Sequence, residues 1–557
     1  MKLFQGIAAA VLCLGLAASV ALGTDRTVPV PYATIQAAVD AAVAGDVVLV
    51  APGLYSDPTH EAGGGDDALC CVVMKSGVTI RGSGIGQTII DGAATARGIC
   101  LTEVTDATIC HLTIQNTKGD DYGCGLLLRD FSSAFVHDLK IVDGQHGGVA
   151  VIDTSTGTFE DCIFDHNSGK YGAGIDVETD CDPTFLRCQI INNSGPANAG
   201  VQLRGSAILD RCIIDNNSTA GASPGGVSGG GLGVLNGAPI IRYCEITNNY
   251  SGGEAGGLSY ISQAEGGLVE HCLIQGNECA GDEGQGGGIL VSGLAEVTIR
   301  DCIVRDNATT GSWGDGGGLF VSRSTVDISN CTFYNNSVGG TWGLAGNVGL
   351  LPLDDPATPM SLSHCIIAFS ATGQGIWCGE YPQLMTVSCC DIYGNAGGDA
   401  TCGTATDCFS LDPQFCAPAT GNLHILDTSP CAPGNHPSGA GTCDGLLIGA
   451  LTAGCDSGID DPSPRSTVAL LGNQPNPFSR QTVISFTLSR PEEVALDIID
   501  PSGRRVAVLL EGTVSAGIHE VAWDGTALDG TRAASGVYFY RLNAGGLTEA
   551  MRMLRLR

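Results

Sequence analysis

Asp176, Glu178 and Arg204 are the residues of this chain whose types and spacing best suit chemistry. Residues two apart share one face of an extended segment. The segment Gly174-Ile175-Asp176-Val177-Glu178 is followed by Gly200-Val201-Gln202-Leu203-Arg204, so the three charged side chains fall at equivalent outward places. Arg129 holds that place in an earlier segment, His146 sits on the adjacent turn, and Asp120-Asp121 lies beside them. Carboxylates next to an arginine can bind Ca²⁺ and a uronic acid, or serve as acid and base on a sugar ring. The plainer reading is that Glu178 and Arg204 form a surface ion pair of little energy.

A second set is aromatic. Trp313 and Trp342 each fall six residues after an asparagine, Asn307 and Asn336, which predicts that they stack on successive repeats. Phe320 and Trp377 take outward places on the neighbouring glycine-opened segments. A row of exposed rings suits the flat faces of sugars. Alternatively, each tryptophan covers its own loop.

What must position these residues is a repeat, Cys-x-[Ile/Val/Phe]-x-x-Asn. Its copies begin at Cys162, Cys188, Cys212, Cys244, Cys272, Cys302, Cys331, Cys365 and Cys390. The asparagine column is Asn167, Asn193, Asn217, Asn249, Asn277, Asn307, Asn336 and Asn395, with Ser370 as the break. Copies start 24 to 34 residues apart, as in Cys188 to Cys212 and Cys331 to Cys365, so loops of variable length join fixed points. That is the signature of a solenoid. Cys and the apolar residue share one strand face, and glycine runs such as Gly286-Gly287-Gly288 open a second strand. Strands this short close no core alone, so coils must stack in parallel at roughly 4.8 Å, placing like on like in ladders.

Composition sets further bounds. A net charge of −32 argues against nucleic acid and anionic membranes as partners, while leaving cations open. Lys2 and the apolar run Ile7 to Leu22, ending in Ala21 and Gly23, read as a secretory signal over residues 1–23. No later stretch is long and apolar enough to span a membrane. Of 25 cysteines, one leaves with the signal and nine form the ladder; the other 15 are concentrated in caps and loops. In an oxidising compartment the cap cysteines are expected to pair, whereas the ladder reads as packed thiols, with disulfides as the alternative.

In chain order, Ile35, Ala38, Val39, Ala42 and Val43 keep helical spacing and predict a capping helix within residues 24–50. Coils extend to Asn395, and 396–455 reads as a Cys-rich C-terminal cap. Residues 456–466, with Asp461-Pro462-Ser463-Pro464, form a linker by composition. Across 467–557 the apolar pattern turns to period two, which predicts an Ig-like sandwich.

The Cys/Ile/Asn columns with glycine-opened strands resemble the right-handed parallel β-helix of the pectate lyase-like superfamily, and the Phe333-x-x-Asn336 and Gly-Gly-Gly-Ile pairing is similar to repeat adhesins. In the tail, Pro475-Asn476-Pro477-Phe478, Trp523-Asp524-Gly525 and Gly536-Val537-Tyr538 resemble the FlgD-like Ig domain and the sorting domains of type IX secretion. The resemblance implies export and attachment at a bacterial surface through a secretion or anchoring machinery. For activity it is partial: Asn116-Thr117-Lys118 carries Lys where polygalacturonases carry Asp, and Gln145-His146-Gly147 carries Gln in place of Gly. Asp57-Pro58-Thr59-His60-Glu61 is similar to the Asp-Pro-His-Glu of alginate epimerases, with an added Thr. The expectation is an all-β chain, a right-handed parallel β-helix solenoid with an N-terminal cap helix plus a C-terminal Ig-like β-sandwich. It would be secreted or surface-attached and would recognise a polysaccharide or another surface without catalysis. The alternatives are a lyase or hydrolase acting on an acidic glycan through Asp176, Glu178, Arg204, Arg129 and His146, or a structural spacer.

Overall fold

The computed structural model describes residues 23–557 apart from 64–65, 120–122, 124, 220–228, 262–264, 341–342, 353–357, 380, 456–467, 475–477, 479, 489–491, 501–503, 515–516, 529, 545–546 and 556–557. The signal segment, Asp120-Asp121, Trp342 and the linker therefore lie outside the described residues.

The repeat builds its corners with single left-handed residues. Each ladder cysteine is preceded by one, from Asp161, Arg187 and Arg211 through to His364 and Cys389, with φ between 51° and 56°. A second set precedes the asparagines: His166, Asn192, Asn216, Asn248, Gly276, Asp306, Asn335, Phe369 and Gly394. None of these corner residues is β-branched, the side-chain class that tolerates this backbone least. The Asn-Asn doublets of the sequence thus divide their work: the first residue makes the corner and the second points inward.

Between corners the chain runs as short strands. In one coil these are Ile289–Val291, Glu296–Arg300 and Ile303–Arg305, and each pairs in parallel and in register with its counterparts in the coils before and after. The glycine-opened strands form a 13-stranded sheet, and the strands on either side of the cysteine corner form a 26-stranded array. One continuous apolar core runs inside, from Val28 to Ile392.

Two ladders line that core. From Asn167 to Asn307 each asparagine Nδ2 donates to the carbonyl of the apolar residue one coil back, as Asn277 does to Ile246 at 2.8 Å, and also to Oδ1 of the next asparagine, here Asn307, at 3.0 Å. The backbone N–H of Asn277 donates to that same oxygen. Ser370 does not interrupt the run. Asn347 takes the vacant place, accepting from Asn336 Nδ2 at 2.8 Å and donating to Asn395 Oδ1 at 2.8 Å. The cysteines are free thiols at 0 % exposure, and Cys244 Sγ donates to the carbonyls of Arg242 and Leu209. Burial pushes the Cys188, Cys212 and Cys244 thiols well above their ordinary range.

At the start, Ile35–Ala41 is helical, with Thr34 Oγ1 accepting from Ala37 N, and Ile35, Ala38 and Val39 close the end of the core. At the other end, Thr404–Thr406 pairs with the last coil strand Met385–Ser388 and Cys402 and Cys408 pack against the core, after which the chain folds back along the flank. Gly449 N donates to His364 O and Ala450 N to Thr332 Oγ1, while Leu423 and Leu451 cover Leu273 and Ile303. Its course is held by the disulfides Cys378–Cys402, Cys389–Cys443 and Cys416–Cys455; a fourth, Cys70–Cys100, joins adjacent early strands.

The tail forms two antiparallel sheets of three and four strands around Phe478, Ile484, Leu496, Trp523 and Tyr540. The basic end of the chain is itself a strand, Leu547–Arg555, paired with Gly536–Ala544.

Candidate functional site

Register on the 13-stranded sheet stacks Ala150, Asp176, Gln202, Gly233, Ser259, Leu290, Phe320, Gly349 and Trp377 in one column. Their neighbours Ile175, Val177, Leu319 and Val321 belong to the core, so strand alternation turns this column outward. Facing outward does not make it exposed, because loops lie across much of it.

Asp176 shows this most plainly. It is 3 % exposed and sits in a relay of amides. Gln202 Nε2 donates to Asp176 Oδ1 at 2.9 Å, Asn198 Nδ2 donates to Gln202 Oε1 at 3.0 Å, and Gly229 N donates to Asn198 Oδ1 at 2.8 Å. Two glycines make the cover possible. Gly172 has φ +45°, and a Cβ there would stand 2.9 Å from the Asp176 Cα; a Cβ on Gly233 would stand 2.0 Å from Asn198 Oδ1. Burial, reinforced by the negative charge of Glu178, pushes the Asp176 carboxyl up to about 7, against the opposing pull of Gln202 and Arg204.

Glu178 and Arg204 pair across adjacent coils, each about a quarter exposed. The Arg204 guanidinium lies 5.6 Å from the centroid of the Tyr171 ring, and Lys170 Nζ lies 5.0 Å from that centroid. Tyr171 is 37 % exposed. Lys170 and Arg204 thus both lie against one open ring, with Arg204 also paired to Glu178. Sequence reading missed Lys170 and Tyr171 because they stand on the loop between Asn167 and the strand, where spacing carries no facing information.

The other members of the expected charged set stand apart. Arg129 is 8 % exposed, pairs with Asp130 at 3.2 Å, and has the coil of Ile152 between it and Glu178. His146 is half-buried, with Nδ1 against the Gly119 carbonyl. Asp57 and His60 contact each other at 3.3 Å, but the strand beginning at His60 has four others between it and Ile175–Val177. The Asp176 and Glu178 oxygens do not suit Ca²⁺, which takes six to eight oxygen ligands: one carboxyl is shut away and the other is neutralised by Arg204.

The aromatic row is corrected. Trp313 is 57 % exposed, but Phe320 is 2 % exposed, packed with Ala255 and Leu290 and against Leu351 and Trp377. Gly349 supplies its room, since a Cβ there would be 2.6 Å from the Phe320 ring. Trp377 is half-buried against the same cluster, so Phe320 and Trp377 form a small outer core. Along the column, Phe320 stands five coils from Asp176, roughly 24 Å at 4.8 Å per coil.

The family described as right handed beta helix region matches residues 70–209 and 173–350, and the FlgD Ig-like domain matches 472–546. Among solved structures, a mutant of the periplasmic alginate epimerase AlgG is 12% identical, covering 66% of this chain and 83% of its own, at a TM-score of 0.41. The A-module of the Azotobacter vinelandii mannuronan C-5 epimerase AlgE6 is 17% identical, covering 57% and 92%, at 0.30. A tailspike protein mutant of E. coli bacteriophage HK620, in complex with pentasaccharide, is 10% identical, covering 94% and 89%, at 0.30. No curated protein matches the chain. Matched over 70–350, just over half of its 557 residues, the chain belongs to the right-handed β-helix family and carries a FlgD-type Ig-like domain behind the helix.

Proposed function

We propose that this protein recognises an acidic polysaccharide at the patch of Lys170, Tyr171 and Arg204, and does so without transforming it. The observation that carries the reading is the open Tyr171 ring with Lys170 and Arg204 both against it. A ring supplies a face for a sugar, Lys170 supplies a charge for its carboxylate, and Arg204, whose charge is shared with Glu178, supplies its remaining guanidinium donors. On a chain of net charge −32, local cations are what allow a polyanion to approach at all. A general base must come within hydrogen-bond reach of its proton, and Asp176 at 3 % exposure is closed to a polymer lying on the surface. The test is retention on immobilised acidic and neutral polysaccharides. Selective retention on an acidic one, lost in Tyr171→Ala and Arg204→Ala, supports the reading; equal retention of the variants refutes it.

One observation favours lyase or hydrolase chemistry as a second reading: the Asp176 carboxyl held near neutrality, where a proton carrier works best. Product formation from the same polysaccharides, abolished by Asp176→Asn, would establish it. Export and surface attachment through residues 467–557 complete the proposal, and four disulfides support an oxidising compartment. A chain ending at Cys455 should then be released rather than held at the surface.

A further inference from the structure

On the 26-stranded array, far from that patch, Cys110 and His137 face each other in register on neighbouring strands, Ala107–Gln115 and Ser133–Val142. Successive residues of a strand normally point to opposite faces. Here His111 and Asp138, which follow the paired residues, have φ of +58° and +51°. That corner breaks the alternation and brings four side chains to one place. Sγ of Cys110 and one ring nitrogen each of His111 and His137 lie within 4.8 Å of one another. Asp138 Oδ2 stands 2.8 Å from His137 Nδ1 and 3.5 Å from His111 Nδ1.

The same corner in later coils is built from different chemistry. There arginines meet acids across coils, Arg187 with Asp161 at 2.9 Å and Arg242 with Asp210 at 2.7 Å, so the stack neutralises itself. At Cys110 a thiol, two imidazoles and a carboxylate take those places, and among the described residues this is the one group of three such donors so close together. Cys110 is a free thiol at 1 % exposure and is not in the ladder, where Leu112 and Leu139 take the cysteine's place. The His111 side chain is 41 % exposed, which leaves a route in from solvent.

We propose that Cys110, His111 and His137, backed by Asp138, bind a borderline-soft divalent cation of the zinc class. Thiolate and imidazole donors select such ions over Ca²⁺ or Mg²⁺. Zn–S near 2.3 Å and Zn–N near 2.0 Å set neighbouring donors roughly 3.5 Å apart, so donors now within 4.8 Å of one another approach by no more than about 1.3 Å. Asp138 orients the His137 ring or supplies the fourth donor.

The full chain, stripped with a chelator, is titrated with Co²⁺ as a spectroscopic stand-in and then with Zn²⁺. The expected result is one Co²⁺ per chain with thiolate charge-transfer absorption, displaced by Zn²⁺ and unaffected by Ca²⁺. Cys110→Ser should abolish the thiolate band, and His111→Gln should weaken binding by at least about tenfold. His111 is surface-accessible, so His111→Gln serves if Cys110→Ser fails to fold. Absence of stoichiometric binding, or a thiolate band unchanged in both variants, overturns the proposal.

Discussion

The doublet Asn216-Asn217 places two chemically identical side chains next to each other in opposite roles, and substituting each by alanine should separate them. Asn217 Oδ1 accepts from Asn193 N at 3.0 Å and from Asn193 Nδ2 at 3.0 Å, while its own Nδ2 donates to Ile190 O at 2.9 Å. Its Nδ2 also donates to Asn249 Oδ1 at 3.0 Å, so in Asn217→Ala four buried partners lose a bond, at about 1–3 kcal/mol for each group left unsatisfied. Allowing water to enter the gap, the total is about 3–6 kcal/mol. Asn216 is exposed, and its side chain makes one bond, to Asn192 Oδ1, so Asn216→Ala should cost only the left-handed backbone penalty of about 1–2 kcal/mol. Asn216→Gly should be close to neutral. Because a stack of coils need not unfold in one step, native-state hydrogen exchange is the suitable assay. The Asn193 amide should lose protection in Asn217→Ala and keep it in Asn216→Gly. Equal protection in the two variants would refute the ladder as the element that locks the coils.

Three further outcomes follow from the same structure. The ladder thiols should resist a thiol reagent in the native protein and react on unfolding, and Cys244→Ala should cost about 1 kcal/mol for the lost buried volume. Asp391, fully buried and pushed up to about 7 by burial, holds its proton when folded but releases it near pH 4 when unfolded. Its contribution is therefore complete below about pH 4 and is lost as pH rises through 7, on the order of 4 kcal/mol; unfolding curves across that range should flatten in Asp391→Asn. In the tail, Asp497 is buried and pairs with the partly exposed Arg505 at 3.0 Å and Arg541 at 3.2 Å, so Asp497→Ala should destabilise that domain by about 1–3 kcal/mol in thermal melts.

Much of the fold was legible because its units repeat. Three columns at fixed spacing announce stacked coils, and the inward position of Cys and Ile follows from strand alternation alone. What stayed hidden lies off the period. Asn347 fills the gap at Ser370 from another part of the coil, eleven residues beyond Asn336, and no column could point to it. Alternation gave the direction of Phe320 and Asp176 correctly but said nothing of the loops that cover them. Of the charged set, Glu178 and Arg204 pair and Asp176 bonds Gln202 instead, while Arg129 and His146 belong to other coils. Lys170 and Tyr171 escaped notice because a loop residue has no periodic face. The donors at Cys110 escaped for a related reason, since they meet only through a left-handed corner between strands.

The most direct test of acidic-glycan recognition at this patch is retention of the full chain on polygalacturonate at increasing salt, beside Lys170→Ala, Tyr171→Ala and Arg204→Ala. The account predicts retention that falls as salt screens the two cations and that drops in each variant, with no unsaturated product formed. Salt-independent retention shared by all four proteins, or release of unsaturated product, would contradict it.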